Sequence, residues 1–207
     1  MHAPVVLPMN ERQPFSAPVD RAPARPATRA RRAALRAILA AAAALPAILT
    51  GGAPAEAAGC AGANVGPGLQ DVGRADEAVL CLVDDQRRHA GLAPLRPDAA
   101  LGAAATRHSR DMVARDYFGH YDPSGSGPVA RARSAGFCRR ACRISEDLAW
   151  GMSVLATPAA MVRDWMHSAE HRAIILDPRQ RLTGIGVVYG APGQRGQAAT
   201  LTEDFAW

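Results

Sequence analysis

The sequence predicts an α+β fold, and three observations carry that prediction. Helical periodicity governs residues 76–90, 98–116 and 157–167, where apolar side chains recur at three- and four-residue intervals. A period of two governs 144–149, and two further stretches, 183–189 and 198–205, read as strands close together after the last helix. A length of 207 residues with 48% hydrophobic content suits one ordinary domain plus an extension.

The extension is at the front. Residues 1–57 hold seven arginines against three acids (Glu11, Asp20 and Glu56), which is +4 of the formal +5 charge. The folded part is therefore almost neutral, with seventeen arginines against sixteen acids, and a nucleic-acid partner loses its electrostatic support. Residues 1–28, rich in proline and alanine, are expected to be disordered. Residues 29–36 supply a basic n-region, 37–49 an apolar h-region, and Ala53-Pro54-Ala55 or Ala55-Glu56-Ala57 a small-residue cleavage site. The expected division is a leader with secretory signal at 1–57, a surface arm at 58–75 and one domain at 76–207. An apolar run of thirteen residues broken by Pro46 is short for a membrane span, which needs about twenty, so the membrane enters only through export. Arg31-Arg32 leaves a twin-arginine route open, and Cys60 a lipid anchor.

Four cysteines follow the leader, an even number for an oxidising compartment. Three pairings are possible; local spacing favours Cys60 with Cys81 and Cys138 with Cys142, and a zinc site at the second pair competes.

Within the domain, Val79, Leu82, Val83 and Gln86 form one stripe of the first helix, which Gly91 stops. Asp98 caps the second, whose inner face runs Leu101, Ala104, Ala105, His108 and Met112; His108 reads as a hydrogen-bonded core histidine. Pro128 opens a short third helix that ends near Gly136. In the strand from Ile144, Glu146 shares a side with Ile144 and Leu148, and a carboxylate sent inward needs a partner such as histidine. Thr157-Pro158 opens the fourth helix, on which Met161 and Trp165 share a face. Ser168 then reads as the N-cap of a further short helix, with His171 in its first turn and Ile174, Ile175 and Leu176 as its anchor. Residues 190–197, rich in glycine and proline, read as a hairpin loop between the last two strands.

Seven pieces in this order resemble the CAP superfamily of cysteine-rich secretory proteins, antigen 5 and pathogenesis-related proteins, in its short bacterial form. They are LCLVDDQRRHAGLAPL (80–95), RHSRDMVARDYFGHYDP (107–123), RARSAGF (131–137), SEDLAWG (145–151), WMHSAEHRAIIL (165–176), GIGVVYG (184–190) and LTEDF (201–205). The resemblance implies a three-layer α-β-α sandwich with a cleft in which histidines and acids face one another. Carried over, the cleft residues are His120, Glu146 and His171; the family's second glutamate meets Ser168. Two further departures are Ser145-Glu146-Asp147 for the usual Gly-Glu-Asn, and Glu203 for the usual glutamine of the last strand.

Two neutral imidazoles and a carboxylate are an acceptable three-ligand set for zinc with water in the fourth position, so His120, His171 and Glu146 are also the expected metal ligands. No nucleophile-base-acid triad is recognisable in the sequence, and fold alone does not fix an activity. The reading adopted is a secreted or periplasmic binding module for an extracellular ligand. A metal-assisted hydrolase of an envelope or host polymer and a carrier of sterol or other lipid are the alternatives.

Overall fold

The computed structural model describes residues 59–138 and 141–207. The expected leader at 1–57 lies outside the described residues. Helix α1, Val72–His89, starts four residues earlier than its periodicity suggested, because the side chain of Asp71 accepts the Arg74 amide at 2.9 Å and nucleates the first turn there. The two-residue strand β1 is Arg96–Pro97, and α2 is Ala99–Arg115, capped by Asp98, whose carboxylate accepts the amides of Ala100 and Leu101. Then come α3 (Pro128–Ser134), β2 (Ile144–Met152), a 3-10 turn (Ser153–Ala156), α4 (Pro158–His167) and α5 (Ala169–Ile175). Strands β3 (Leu182–Ala191) and β4 (Gln194–Ala206) close the chain order.

The four strands form one sheet in the order β1-β3-β4-β2, with β1 parallel to β3 and the other pairs antiparallel. The hairpin loop read at 190–197 is shorter in the structure. Pairing runs out to Ala191 and Gln194, leaving Pro192-Gly193 as the turn, with Gly193 in the left-handed region at φ 64° and a register irregularity between Tyr189 and Ala191.

Helices cover both faces, which makes the sandwich an α-β-α one. On one side α1 and α4 bury Val79, Val83, Met161 and Trp165 against Val187, Leu201 and Phe205 of the sheet. On the other, α2 presents the face its periodicity defined: Leu101, Ala104, Ala105, His108 and Met112 are all buried. That helix lies directly on β3 because Gly184 and Gly186 have no side chains. A Cβ at Gly184 would collide with the backbone of Leu101 and Gly102, and one at Gly186 with that of Thr106. Ser109 completes the contact, its hydroxyl meeting the Gly186 carbonyl at 2.7 Å and the Thr202 hydroxyl at 2.8 Å.

Both disulfides read from the spacing are formed, Cys60–Cys81 and Cys138–Cys142, and among the described residues no cysteine is free. The first ties the arm to α1 and occupies the sulfur that a lipid anchor would need; the second closes the α3–β2 connection and replaces the zinc alternative there. The arm is held at more than one point: the Ala63 carbonyl accepts the Ala159 amide at 2.9 Å, and the Tyr189 hydroxyl reaches the Gln70 carbonyl at 2.6 Å. At the other end of α1, Arg87 is fully buried, and its guanidinium donates to the carbonyls of Ala93, Ile175, Asp177 and Gln180. One side chain thus ties the end of α1 to the segment between α5 and β3.

Candidate functional site

The site lies along β2, the edge strand opposite β1. Glu146 is aimed where the alternation placed it, and its side chain is only 1% exposed. Its Oε1 accepts the His120 Nδ1 at 2.8 Å, and its Oε2 pairs with the Arg131 guanidinium of α3. Arg131 also donates to the carbonyls of His120 at 2.9 Å and Ser126 at 3.1 Å. The preceding carbonyl, Gly119, is met by Nε2 of the buried His108 at 3.0 Å, so His108 is the hydrogen-bonded core histidine expected of it. His120 therefore sits on a loop but is gripped by three elements: α2 and α3 hold the two carbonyls beside it, and β2 holds its ring. A carboxylate oxygen only accepts, so the proton of the ring contact sits on Nδ1, and half of the side chain is exposed.

The loop after His120 is fixed by Asp122, whose Oδ1 accepts the Ser124 amide and hydroxyl and the Ser126 amide. Those bonds hold the Asp122 carboxyl down at about 2. Phe118 and Tyr121 flank His120 with exposed rings, 38% and 61% accessible.

His171 is positioned on α5, with its ring 6.5 Å from that of Trp165 in a tilted arrangement. Trp165 is itself locked by its indole N–H, which donates to the Leu148 carbonyl of β2 at 2.9 Å. Burial lowers the His171 imidazole below its ordinary 6.5, and the nearby His120 ring lowers it further against the opposing pull of Glu170. Its ring is neutral at pH 7. Ser168 takes the N-cap position before α5 with extended backbone angles, but its hydroxyl makes no capping bond, unlike the cap its sequence position suggested.

The structure joins His120 directly to Glu146 and brings His171 within electrostatic range of His120. It does not assemble the expected three-ligand metal set. Among the described residues no three His, Cys, Asp or Glu side chains are grouped to hold an ion, and both oxygens of Glu146 are already engaged. The reason is Arg131, a residue that sequence reasoning passed over. Its only signal was indirect: an inward carboxylate needs a cation, and α3 is the arginine-rich neighbour.

Beneath Glu146 lies a second unforeseen group. Asp204 faces it across the β2–β4 pair, and burial followed by the Glu146 charge pushes the Asp204 carboxyl well above its usual range. On the opposite side of the same two strands Asp147 and Glu203 are also register partners, both fully buried. The strand alternation exposed one inward acid, whereas four lie on these strands.

Comparison with known proteins agrees with this architecture. The chain is 33% identical over 113 residues to the "Uncharacterized protein YkwD" of Bacillus subtilis, an alignment spanning 55% of this chain and 42% of that relative. It therefore spans less than half the length of that protein. Among solved structures it is similar to an extracellular protein containing a SCP domain from Bacillus anthracis (TM-score 0.56, 21% identity, 65% of this chain and 41% of that one). An outer surface protein from Borrelia burgdorferi is similar too (TM-score 0.52, 16% identity, 62% of this chain and 88% of that one). At these identities the two structures speak for the fold alone. The model of the CAP cysteine-rich secretory protein family matches residues 80–205, and with the sandwich, the sheet and the His120–Glu146 contact in place, the chain belongs to that family.

Proposed function

We propose that this protein is an extracytoplasmic binding module that holds its ligand at His120 and His171 without turning it over. The observation that carries the reading is the state of Glu146. A carboxylate buried to 1% and engaged at both oxygens is a wall of the site, not a reagent in it. It fixes the His120 ring so that Nε2 faces away from the buried carboxylate, and a neutral His171 offers a second acceptor or donor. The exposed rings of Phe118 and Tyr121 beside His120 add apolar and aromatic contact, which suits a lipid or the sugar faces of an envelope polymer. Two disulfides support an oxidising compartment, in keeping with the secretory signal read in the leader.

Zinc titration of the oxidised protein, with wild type, Glu146→Gln and the His120→Ala/His171→Ala double variant, tests this. Glu146→Gln leaves Arg131 facing a neutral partner, and its expected cost is about 2–4 kcal/mol in urea unfolding, the same with and without zinc. Stoichiometric zinc binding that the double histidine variant abolishes, together with a zinc-dependent gain in stability that Glu146→Gln removes, would overturn the reading in favour of a metal-assisted enzyme.

A further inference from the structure

At the opposite edge of the sheet from His120, a second recess opens where β1 stops. β1 pairs only with Leu182 and Thr183, so among the described residues no strand lies beside the outer edge of β3 beyond Thr183. α1 and the start of α2 straddle that edge and leave a cleft of about 370 Å³. That volume falls within the range of small-molecule sites. Gly102, Gly184 and Ile185 form the apolar interior together with Leu80 and Pro97.

The polar lining is of one sign. Asp76 and Glu77 come from α1 and Asp98 from the start of α2, and none of the lining residues is basic. Asp98 is committed to capping α2. Asp76 Oδ1 accepts the Val187 amide at 2.7 Å, while exposed Glu77 enters no ion pair among the described residues. Two neighbouring carboxylates without a cation, over an apolar recess, are complementary to a positive head on a short hydrocarbon body.

We propose that this cleft binds a small organic cation, an alkylammonium whose chain enters toward Ile185 and whose charge lies between Asp76 and Glu77. Its binding is coupled to pH. Burial, and to a lesser extent the charge of Glu77, raises the Asp76 carboxyl to about 7, against the Val187 hydrogen bond. Tyr189 on β3 also interacts with Asp76, and it is neutral in this range, its own hydroxyl raised by burial; Asp98 lines the same cleft from the start of α2. An ammonium needs the Asp76 carboxylate, so affinity rises with pH through about 7 and a proton leaves on binding.

The experiment is an amide-resolved NMR titration of the oxidised protein with n-butylammonium, with 1-butanol as the neutral match. Saturable shifts are expected at Gly102, Gly184 and Ile185. The affinity is expected to fall about fivefold in Glu77→Gln, in Asp76→Asn and on lowering the pH from about 8 to about 6. Asparagine at 76 keeps a carbonyl for the Val187 amide, and Glu77 lies on the surface, so both variants fold. His120→Ala leaves this binding unchanged. Butanol binding as tightly as butylammonium, an affinity for butylammonium unchanged from wild type in either acid variant, or no saturable shift would each overturn the proposal.

Discussion

Replacing Glu203 with glutamine isolates one buried proton and measures it. Glu203 is fully buried on β4; its Oε1 accepts the Thr183 hydroxyl at 2.8 Å, and its Oε2 has no partner. Burial raises the carboxyl from 4.5 to about 8, the Thr183 bond working against the shift. The folded value lies above the unfolded one, so between those limits the folded chain holds a proton that the unfolded chain has released. Its stabilising contribution is complete below about pH 4.5 and is lost progressively as the pH rises to about 8. One proton of difference amounts to about 1.4 kcal/mol per pH unit. Glutamine has the same shape, still accepts from Thr183 and does not titrate. Urea unfolding of both proteins at about pH 5.5, 6.5 and 7.5 should show the difference moving in the variant's favour by roughly 2–3 kcal/mol over the series. The Glu203 charge also helps to raise Asp147 and Asp204, so removing it moves both in the variant's favour as well, whereas His108 and His171 are common to both proteins. Parallel stability curves for wild type and Glu203→Gln would refute this account of the buried acid.

Gly186→Ala is expected to cost about 3 kcal/mol or more, because the added methyl meets the backbone of α2 at Thr106 and not a side chain that could turn away; a thermal midpoint unchanged from wild type would contradict the close packing. Removing the Cys60–Cys81 bridge with a double serine variant should lower stability by about 2–4 kcal/mol in denaturant unfolding, and no loss would mean that the arm contributes nothing through its tether. The His171 ring should titrate below 6.5 in an NMR pH series, so its contribution to stability is present above 6.5 and lost in acid; a midpoint at or above 6.5 would remove the burial that the site assigns to it.

Much of this was legible from residue patterns. The inner face of α2 could be read residue by residue, because a helix buried on one side leaves a clean stripe. The phase of Glu146 followed from alternation alone, and the family motifs added His120 and His171. What alternation could not show is that β2, though an edge strand, is buried on both faces. Asp147 looked like the solvent side of a strand with Glu146 inside, yet it is as buried as its neighbour. Asp147 and Glu203 illustrate the limit well. In the sequence they are separate departures from the family pattern, 56 positions apart; in the sheet they are register partners, so two acids stand together where the family pattern has two amides. Arg131 escaped notice for a related reason: its role depends on a contact between α3 and β2, and a single short helix carries too little periodicity to announce which arginine turns inward.

The place of β4 in the sheet has a consequence for how the chain is made. β4 lies between β3 and β2 and, among the described residues, is the only strand that pairs with β2, while β3 without it has just two residues of β1 beside it. During synthesis the helices at 72–89 and 99–115 can form as they emerge, but the sheet they pack on cannot close until residues 194–206 are available. Nascent chains arrested before Gln194 should therefore remain open to protease however long they are left, and protection should appear in a single step once β4 is free to insert. Until that strand follows, the segment before it stays free of the sheet that would lock it in place.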